Sequence, residues 1–212
     1  MEDIDTWLHR VYEAGGDRDT LDRVYDDWAE RYDQHLWGIG NPFTAIAAAF
    51  ISRHLQSFDA RILDAGCGTG NAAQLLHQIG YRNLSGFDPS PGMLEVARRK
   101  QIFQHLFEHA LGVGETVSDH YDCLVATGVL TSGHAPPAAL DDMLAMIRTG
   151  GLLVFSVSRL AEQELGFAAK MHHLDEAGAW QLVEHSRWFD AHPFLSTEAP
   201  VELRIYVYRK LA

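Results

Sequence analysis

The run Ile62-Leu63-Asp64-Ala65-Gly66-Cys67-Gly68-Thr69-Gly70, leading straight into Asn71-Ala72-Ala73-Gln74-Leu75-Leu76, constrains this chain more than any other stretch. A short apolar segment becomes a glycine-rich loop, and the loop becomes an amphipathic helix. Glycines at alternate positions permit backbone angles that a Cβ forbids, and they let a ligand approach free N–H groups at a helix N-terminus. Strand, glycine loop and helix in this order form the opening unit of a parallel sheet with helices packed on its faces.

The pattern after the loop agrees. The helix over Asn71–Ile79 ends at Gly80, and strand Leu84–Phe87, helix Pro91–Lys100, strand Phe103–Ala110 and strand Tyr121–Ala126 follow. Helix Pro137–Ile147 stops before Gly150-Gly151, which opens strand Leu152–Val157. Continuous apolar strands between amphipathic helices indicate strands buried on both sides. In the tail, Glu184–Phe189 and Glu202–Tyr208 alternate like strands with no long helix between them, so they form an antiparallel pair. The expected fold is α/β: a Rossmann-like, seven-stranded, mostly parallel sheet with an antiparallel C-terminal strand pair, helices on both faces and an N-terminal helical lid.

That lid occupies residues 1–56 and the core residues 57–212. Leu21, Val24, Tyr25, Trp28, Tyr32, His35 and Leu36 recur at helical spacing, Gly38-Ile39-Gly40-Asn41-Pro42 breaks the helix, and Pro42 starts another that runs to Leu55. The longest apolar run, Phe43–Ile51, is far short of the roughly 20 residues of a membrane span. The first residues are acidic (Asp3, Asp5), unlike a signal or transit peptide. Net charge is −12, a field that repels polyanions, so nucleic acid is not an expected partner. Arg98-Arg99-Lys100 suits a helix C-terminus. Cys67 and Cys123 carry no metal or disulfide spacing and read as reduced thiols of a cytoplasmic protein.

The glycines alone are ambiguous, since Gly68-Thr69-Gly70-Asn71-Ala72-Ala73 also matches the dinucleotide pattern G-x-G-x-x-G/A. Three companions favour S-adenosylmethionine. Asp64, just before the loop, would repel a pyrophosphate but accept from an ammonium group. Asp88 ends the next strand, where a carboxylate takes ribose hydroxyls. The antiparallel tail also leaves no room for a dehydrogenase's second half.

With Gly86-Phe87-Asp88-Pro89-Ser90-Pro91-Gly92-Met93, Tyr121–Leu130 and Arg148–Ser156 added in order, the chain over residues 20–160 resembles class I S-adenosylmethionine-dependent methyltransferases. The segment Tyr25–Asp33 and the loop Leu130–His134 are most similar to the methyltransferase-like proteins of the Williams–Beuren region. The resemblance implies that Asp64 and Gly66 hold the methionine end, Gly68 and Gly70 shape the loop, and Asp88 binds the ribose. Pro89, Ser90 and Met93 would border the adenine. The adenine-amine contact falls near His109 and Ala110, where the family often has an Asp, and a backbone carbonyl can replace it. Thr127, at the end of the fourth strand, joins this set.

Tyr25, Trp28 and Tyr32 share one helical face. They are either the core face of an amphipathic helix or a lid over the methionine end, with Tyr25 or Tyr32 bonding the carboxylate. His134, in the loop after the fourth strand, is a candidate general base or simply a polar loop residue. His172-His173 lack further metal ligands, so no metal is assigned. Thr127-Gly128-Val129-Leu130 stands where an amine-directed nucleobase methyltransferase carries Asn/Asp-Pro-Pro-aromatic, and no Pro-Cys occurs. The expected acceptor is therefore a small molecule methylated on O, N or S, bound by the N-terminal helices and residues 159–182. Two rivals remain: a nicotinamide (NAD(P)) oxidoreductase and a non-catalytic S-adenosylmethionine-binding protein. Oligomeric state is not legible.

Overall fold

The computed structural model describes residues 3–114, 120–195 and 200–211. Helix α1 (Ile4–Glu13) begins where the Asp3 carboxylate accepts from the Thr6 N–H at 3.0 Å. In the same way Asp17 starts α2 (Arg18–Ile39) by accepting from the Thr20 N–H at 2.8 Å. Gly38 lies inside α2; the helix ends only at Gly40, whose φ of 83° no Cβ-bearing residue readily adopts. Pro42 then occupies the first turn of α3 (Pro42–His54).

The sheet follows the expected alternation. Strands β1 (Ile62–Ala65) and β2 (Leu84–Asp88) are buried at every residue, as inner parallel strands must be. Then come β3 (His105–Glu108), β4 (Tyr121–Leu130) and β5 (Ile147–Ser158). Their connections are α4 (Asn71–Ile79), α5 (Pro91–Arg99) and α6 (Ala139–Met146). Strand β3 is shorter than the predicted Phe103–Ala110, because Phe103 turns its ring toward Gly70 and Gly86. Beyond β5 lie α7 (Arg159–Glu164), α8 (Phe167–Glu176), β6 (Trp180–His185), β7 (Phe189–Asp190) and β8 (Glu202–Lys210). The order across the sheet is β3-β2-β1-β4-β5-β8-β6, with β7 also pairing to β8. All pairs from β3 to β5 are parallel, and β8 runs antiparallel to β5, β6 and β7. The predicted strand Glu184–Phe189 is split into β6 and β7, so the described sheet has eight strands rather than seven.

Helices α3 and α4 cover one face, around Ala47, Ile51, Val125 and Val154; α6, α7 and α8 cover the other, around Met143, Phe155, Phe167 and Trp180. Helix α3 thus belongs to the sheet's own layers, and the covering element is α1 with α2. Those two helices share a small core of Trp7, Val11, Leu21 and Trp28.

Candidate active site

The sheet order reverses between β1, which leads on to β2 and β3, and β4, which leads the other way. Carboxyl ends of strands flanking such a point leave a crevice that suits a ligand. A cavity partly open to solvent lies there. Its floor is Gly66 and Gly68 after β1, Phe87, Asp88 and Pro89 at β2, and Thr127, Gly128 and Val129 in β4. Helix α2 roofs it with Arg18, Leu21, Asp22, Tyr25 and Tyr32, while His109, Ala110 and His134 close its sides.

Gly66 and Gly68 are needed for different reasons. A Cβ on Gly66 would stand 2.6 Å from Val129 Cγ2, so close packing of β1 against β4 forbids it. Gly68 also has positive φ (54°), but a Cβ there would meet nothing within 4 Å. That open space faces the cavity and fits a ligand lying against the loop.

Asp88 is held by the loops it joins: its Oδ2 accepts from the Gly68 N–H at 2.8 Å and its Oδ1 from the Ser90 N–H at 3.0 Å. Burial pushes its pKa up to about 6, against the opposing pull of those two N–H groups. Asp64 lies behind the glycine loop rather than on the cavity wall; it is 2% exposed and accepts from the Ala73 N–H at 3.2 Å. Burial drives its pKa up to about 7. Two desolvated carboxylates at one site are costly without a cationic or hydroxyl-bearing partner. Beside Asp88, whose carbonyl accepts from the His109 N–H at 3.3 Å, His109 Nε2 is buried without a hydrogen-bond partner among the described residues, with the His109 ring 4.9 Å edge-on from that of Phe87. An orphaned ring nitrogen beside an aromatic face and a hydroxyl-seeking carboxylate fits an adenosine.

The roof is fastened to the loops that follow β1 and β2. Asp26 accepts from Ser90 Oγ at 2.6 Å and from the Gly92 N–H at 2.8 Å, at the start of α5. One turn on, Glu30 pairs with Arg99 at 2.6 Å. Asp33 accepts from Thr69 Oγ1 and from Asn71 Nδ2, and pairs with Lys100 Nζ at 2.8 Å. Positions 26, 30 and 33 share one side of the helix, so Tyr25 and Tyr32 can face the cavity from another.

Tyr25 and His134 meet across the cavity with 2.7 Å between Oη and Nε2. His134 Nδ1 lies 3.0 Å from the Ser132 carbonyl oxygen, which requires a proton on Nδ1. Burial lowers the pKa of His134, favouring the neutral ring, so Nε2 is the acceptor and Tyr25 the donor. Tyr25, with its proton committed to His134, cannot also donate to a carboxylate. Tyr32, whose hydroxyl makes no hydrogen bond among the described residues, is free to do so.

Of the residues singled out from sequence, Tyr25, Tyr32, Gly66, Gly68, Asp88, Pro89, Met93, His109, Ala110, Thr127 and His134 converge on this cavity. Four others stand apart from its wall. Trp28 is 1% exposed, stacks on Trp7 with centroids 5.7 Å apart and donates to His35, so it holds the roof together. Ser90 caps α5 by accepting from the Met93 N–H at 3.0 Å. Gly70 turns into α4 against the Phe103 ring, and Asp64 sits behind the loop as described. Residues 159–182, expected at the acceptor side, contribute nothing to the cavity. Ala161, Phe167 and Met171 point instead into the core under α7 and α8. The α1–α2 turn takes that place with Gly16 and Arg18, whose guanidinium reaches the Leu111 carbonyl at 2.9 Å. A turn between two helices gave no local sign of where it would land.

The sequence profile of the methyltransferase domain matches residues 40–196. The chain belongs to the methyltransferase domain family. It is 32% identical to human methyltransferase-like protein 27 over 182 residues, covering 81% of this chain and 74% of that one. It is also 33% identical to a malonyl-[acyl-carrier protein] O-methyltransferase of Serratia marcescens over 62% of this chain, though it spans only 47% of that enzyme. A TehB-like S-adenosylmethionine-dependent methyltransferase of Corynebacterium glutamicum shares the fold, with a TM-score of 0.64 at 19% identity over 88% of this chain and 97% of that one. The domain family and these relatives make this chain a methyltransferase. Among its described residues no helix is long and apolar enough to cross a membrane.

Proposed function

We propose that this methyltransferase acts in the cytoplasm on a small-molecule acceptor, transferring the methyl group to O, N or S. The observation that carries this reading is that helix α2 roofs the crevice at the carboxyl ends of β1, β2 and β4 with Tyr25 and Tyr32, which suits a small acceptor beside the cofactor better than an extended polymer. The cofactor's adenosine and methionine parts would fill much of the crevice, leaving room for a small acceptor beneath α2. The net charge of −12 argues in the same direction, against a nucleic-acid acceptor.

S-adenosylmethionine, when bound, supplies an electrophilic methyl on a sulfonium. Asp88 would take the ribose hydroxyls, Pro89 and Met93 would border the adenine, and His109 Nε2 with the Ala110 backbone would meet its polar edge. Gly66, Gly68 and Tyr32 would hold the methionine end, with Asp64 opposing its ammonium group from behind the loop. Ser90, Gly70 and Trp28 act by positioning. Thr127 would add to the cofactor's contacts, and His134 is the base for an acceptor that must lose a proton. Roofing by α2 excludes water and holds the reactants in line.

Calorimetric titration with S-adenosylhomocysteine tests the cofactor half. Asp88→Ala should weaken binding by roughly 1.5–3 kcal/mol through the loss of charge-assisted hydrogen bonds, and unchanged affinity would refute the ribose assignment. Release of S-adenosylhomocysteine across a panel of hydroxyl, amine, thiol and malonyl thioester compounds tests the acceptor half. Turnover only on intact proteins would overturn it.

A further inference from the structure

We infer that Tyr25 is a proton relay between the acceptor and His134, and that the acceptor is therefore a compound that donates an O–H to Tyr25, such as a phenol or an enol. This rests on the methyl-transfer reading above. The hydrogen bonds at this wall run one way. The Ser132 carbonyl oxygen takes the Nδ1 proton of His134 at 3.0 Å, which leaves Nε2 as a lone pair, and the Tyr25 hydroxyl fills it at 2.7 Å. What Tyr25 still offers the cavity is an oxygen lone pair. An acceptor meeting it must bring a proton, which a thioether or a tertiary amine does not have, and the O–H of a phenol or enol suits it best, because an S–H donates only weakly and an amine N–H is far less acidic.

His134 lines the cavity, but Tyr25 occupies its Nε2, so the ring does not take the acceptor's proton directly. The relay resolves this. The acceptor's proton passes to Tyr25 Oη while Tyr25's own proton passes to His134 Nε2, leaving a neutral phenol and an imidazolium. The acceptor oxygen keeps the electron pair of its O–H bond and forms the new bond to the methyl carbon with it. The carbon–sulfur bonding pair stays on the donor's sulfur. Burial keeps Tyr25 from ionising, so concerted transfer suits it better than a standing phenolate. Among the described residues, Arg18 and Asp22 of α2, Asp88 of β2 and the His109 ring are the cavity's other charged or titratable groups, and none has a hydrogen bond to either member of the pair.

The test loads the protein with sinefungin, an amine-bearing cofactor analogue whose positive charge replaces that of the sulfonium. It is then titrated with 4-nitrophenol at a pH where the free phenol is mostly protonated. The wild type should show saturable phenolate absorbance, and the His134 15N signals should move to the imidazolium pattern. Tyr25→Phe keeps the ring packing and should bind sinefungin within about threefold of wild type. In that variant the absorbance change should fall by at least about tenfold, and His134→Gln should behave likewise. Persistence of the signal in Tyr25→Phe, or no signal in the wild type at millimolar probe, overturns the relay. Failure of sinefungin and S-adenosylhomocysteine to bind the wild type would instead overturn the cofactor reading, and the relay with it.

Discussion

Removing the charge of Asp64 should stabilise the protein free of cofactor while damaging its site. The Asp64 carboxyl takes up its proton near 7 in the folded chain instead of at the ordinary 3.8, chiefly because burial disfavours the anion. A group whose folded pKa is raised costs nothing below its unfolded pKa and imposes its full cost above the folded one. At about 1.36 kcal/mol per pH unit across that interval, the ionised form costs roughly 4 kcal/mol at pH 8. Asp64→Asn keeps an oxygen for the Ala73 N–H and cannot ionise. Its stability advantage should be small at pH 4, grow through pH 5–7 and level off at about 2–4 kcal/mol by pH 8. Urea denaturation of both proteins at four pH values measures the difference, with equal m-values as the check that folded and unfolded states are otherwise alike. S-adenosylhomocysteine should meanwhile bind the variant more weakly, because the negative charge behind the glycine loop that would oppose its ammonium is gone. A variant no more stable than wild type at pH 8, or an advantage that does not change with pH, would refute the view that Asp64 is an uncompensated buried charge.

The two glycines should separate fold from function. Gly66→Ala, driven into Val129 at positive φ, should cost about 2–4 kcal/mol of stability in thermal unfolding. Gly68→Ala should cost only about 1–2 kcal/mol from its backbone angle yet lose S-adenosylhomocysteine binding by calorimetry. Because burial raises Asp88 to about 6, cofactor affinity should fall roughly tenfold per pH unit below that point as the carboxylate gains a proton; an affinity flat to pH 5 would contradict its role. Asp33→Ala removes the partner of Thr69, Asn71 and Lys100, which should cost about 1–3 kcal/mol and speed S-adenosylhomocysteine release in stopped-flow measurements.

Much of this protein is written locally. The glycine loop, the apolar β1 and β2 and the alternating helices determine the parallel half of the sheet, because each signal arises from residues adjacent in the chain. Asp88 was legible for the same reason: the end of β2 beside a glycine loop places any carboxylate in the crevice. The aromatic face of α2 was readable only as a face. Whether Tyr25, Trp28 and Tyr32 line a cavity or a core depends on how α2 crosses α5, and that crossing is set by Asp26, Glu30 and Asp33 meeting partners some 36 to 69 residues away in sequence. Tertiary structure divided them, sending Trp28 inward and both tyrosines to the cavity. It also lined the cavity with the α1–α2 turn in place of residues 159–182, since the apolar residues of α7 and α8 are consumed by the core beneath them. The bond between Tyr25 and His134 joins positions 109 residues apart, and no local pattern encodes a contact that only packing of the roof on the sheet brings about.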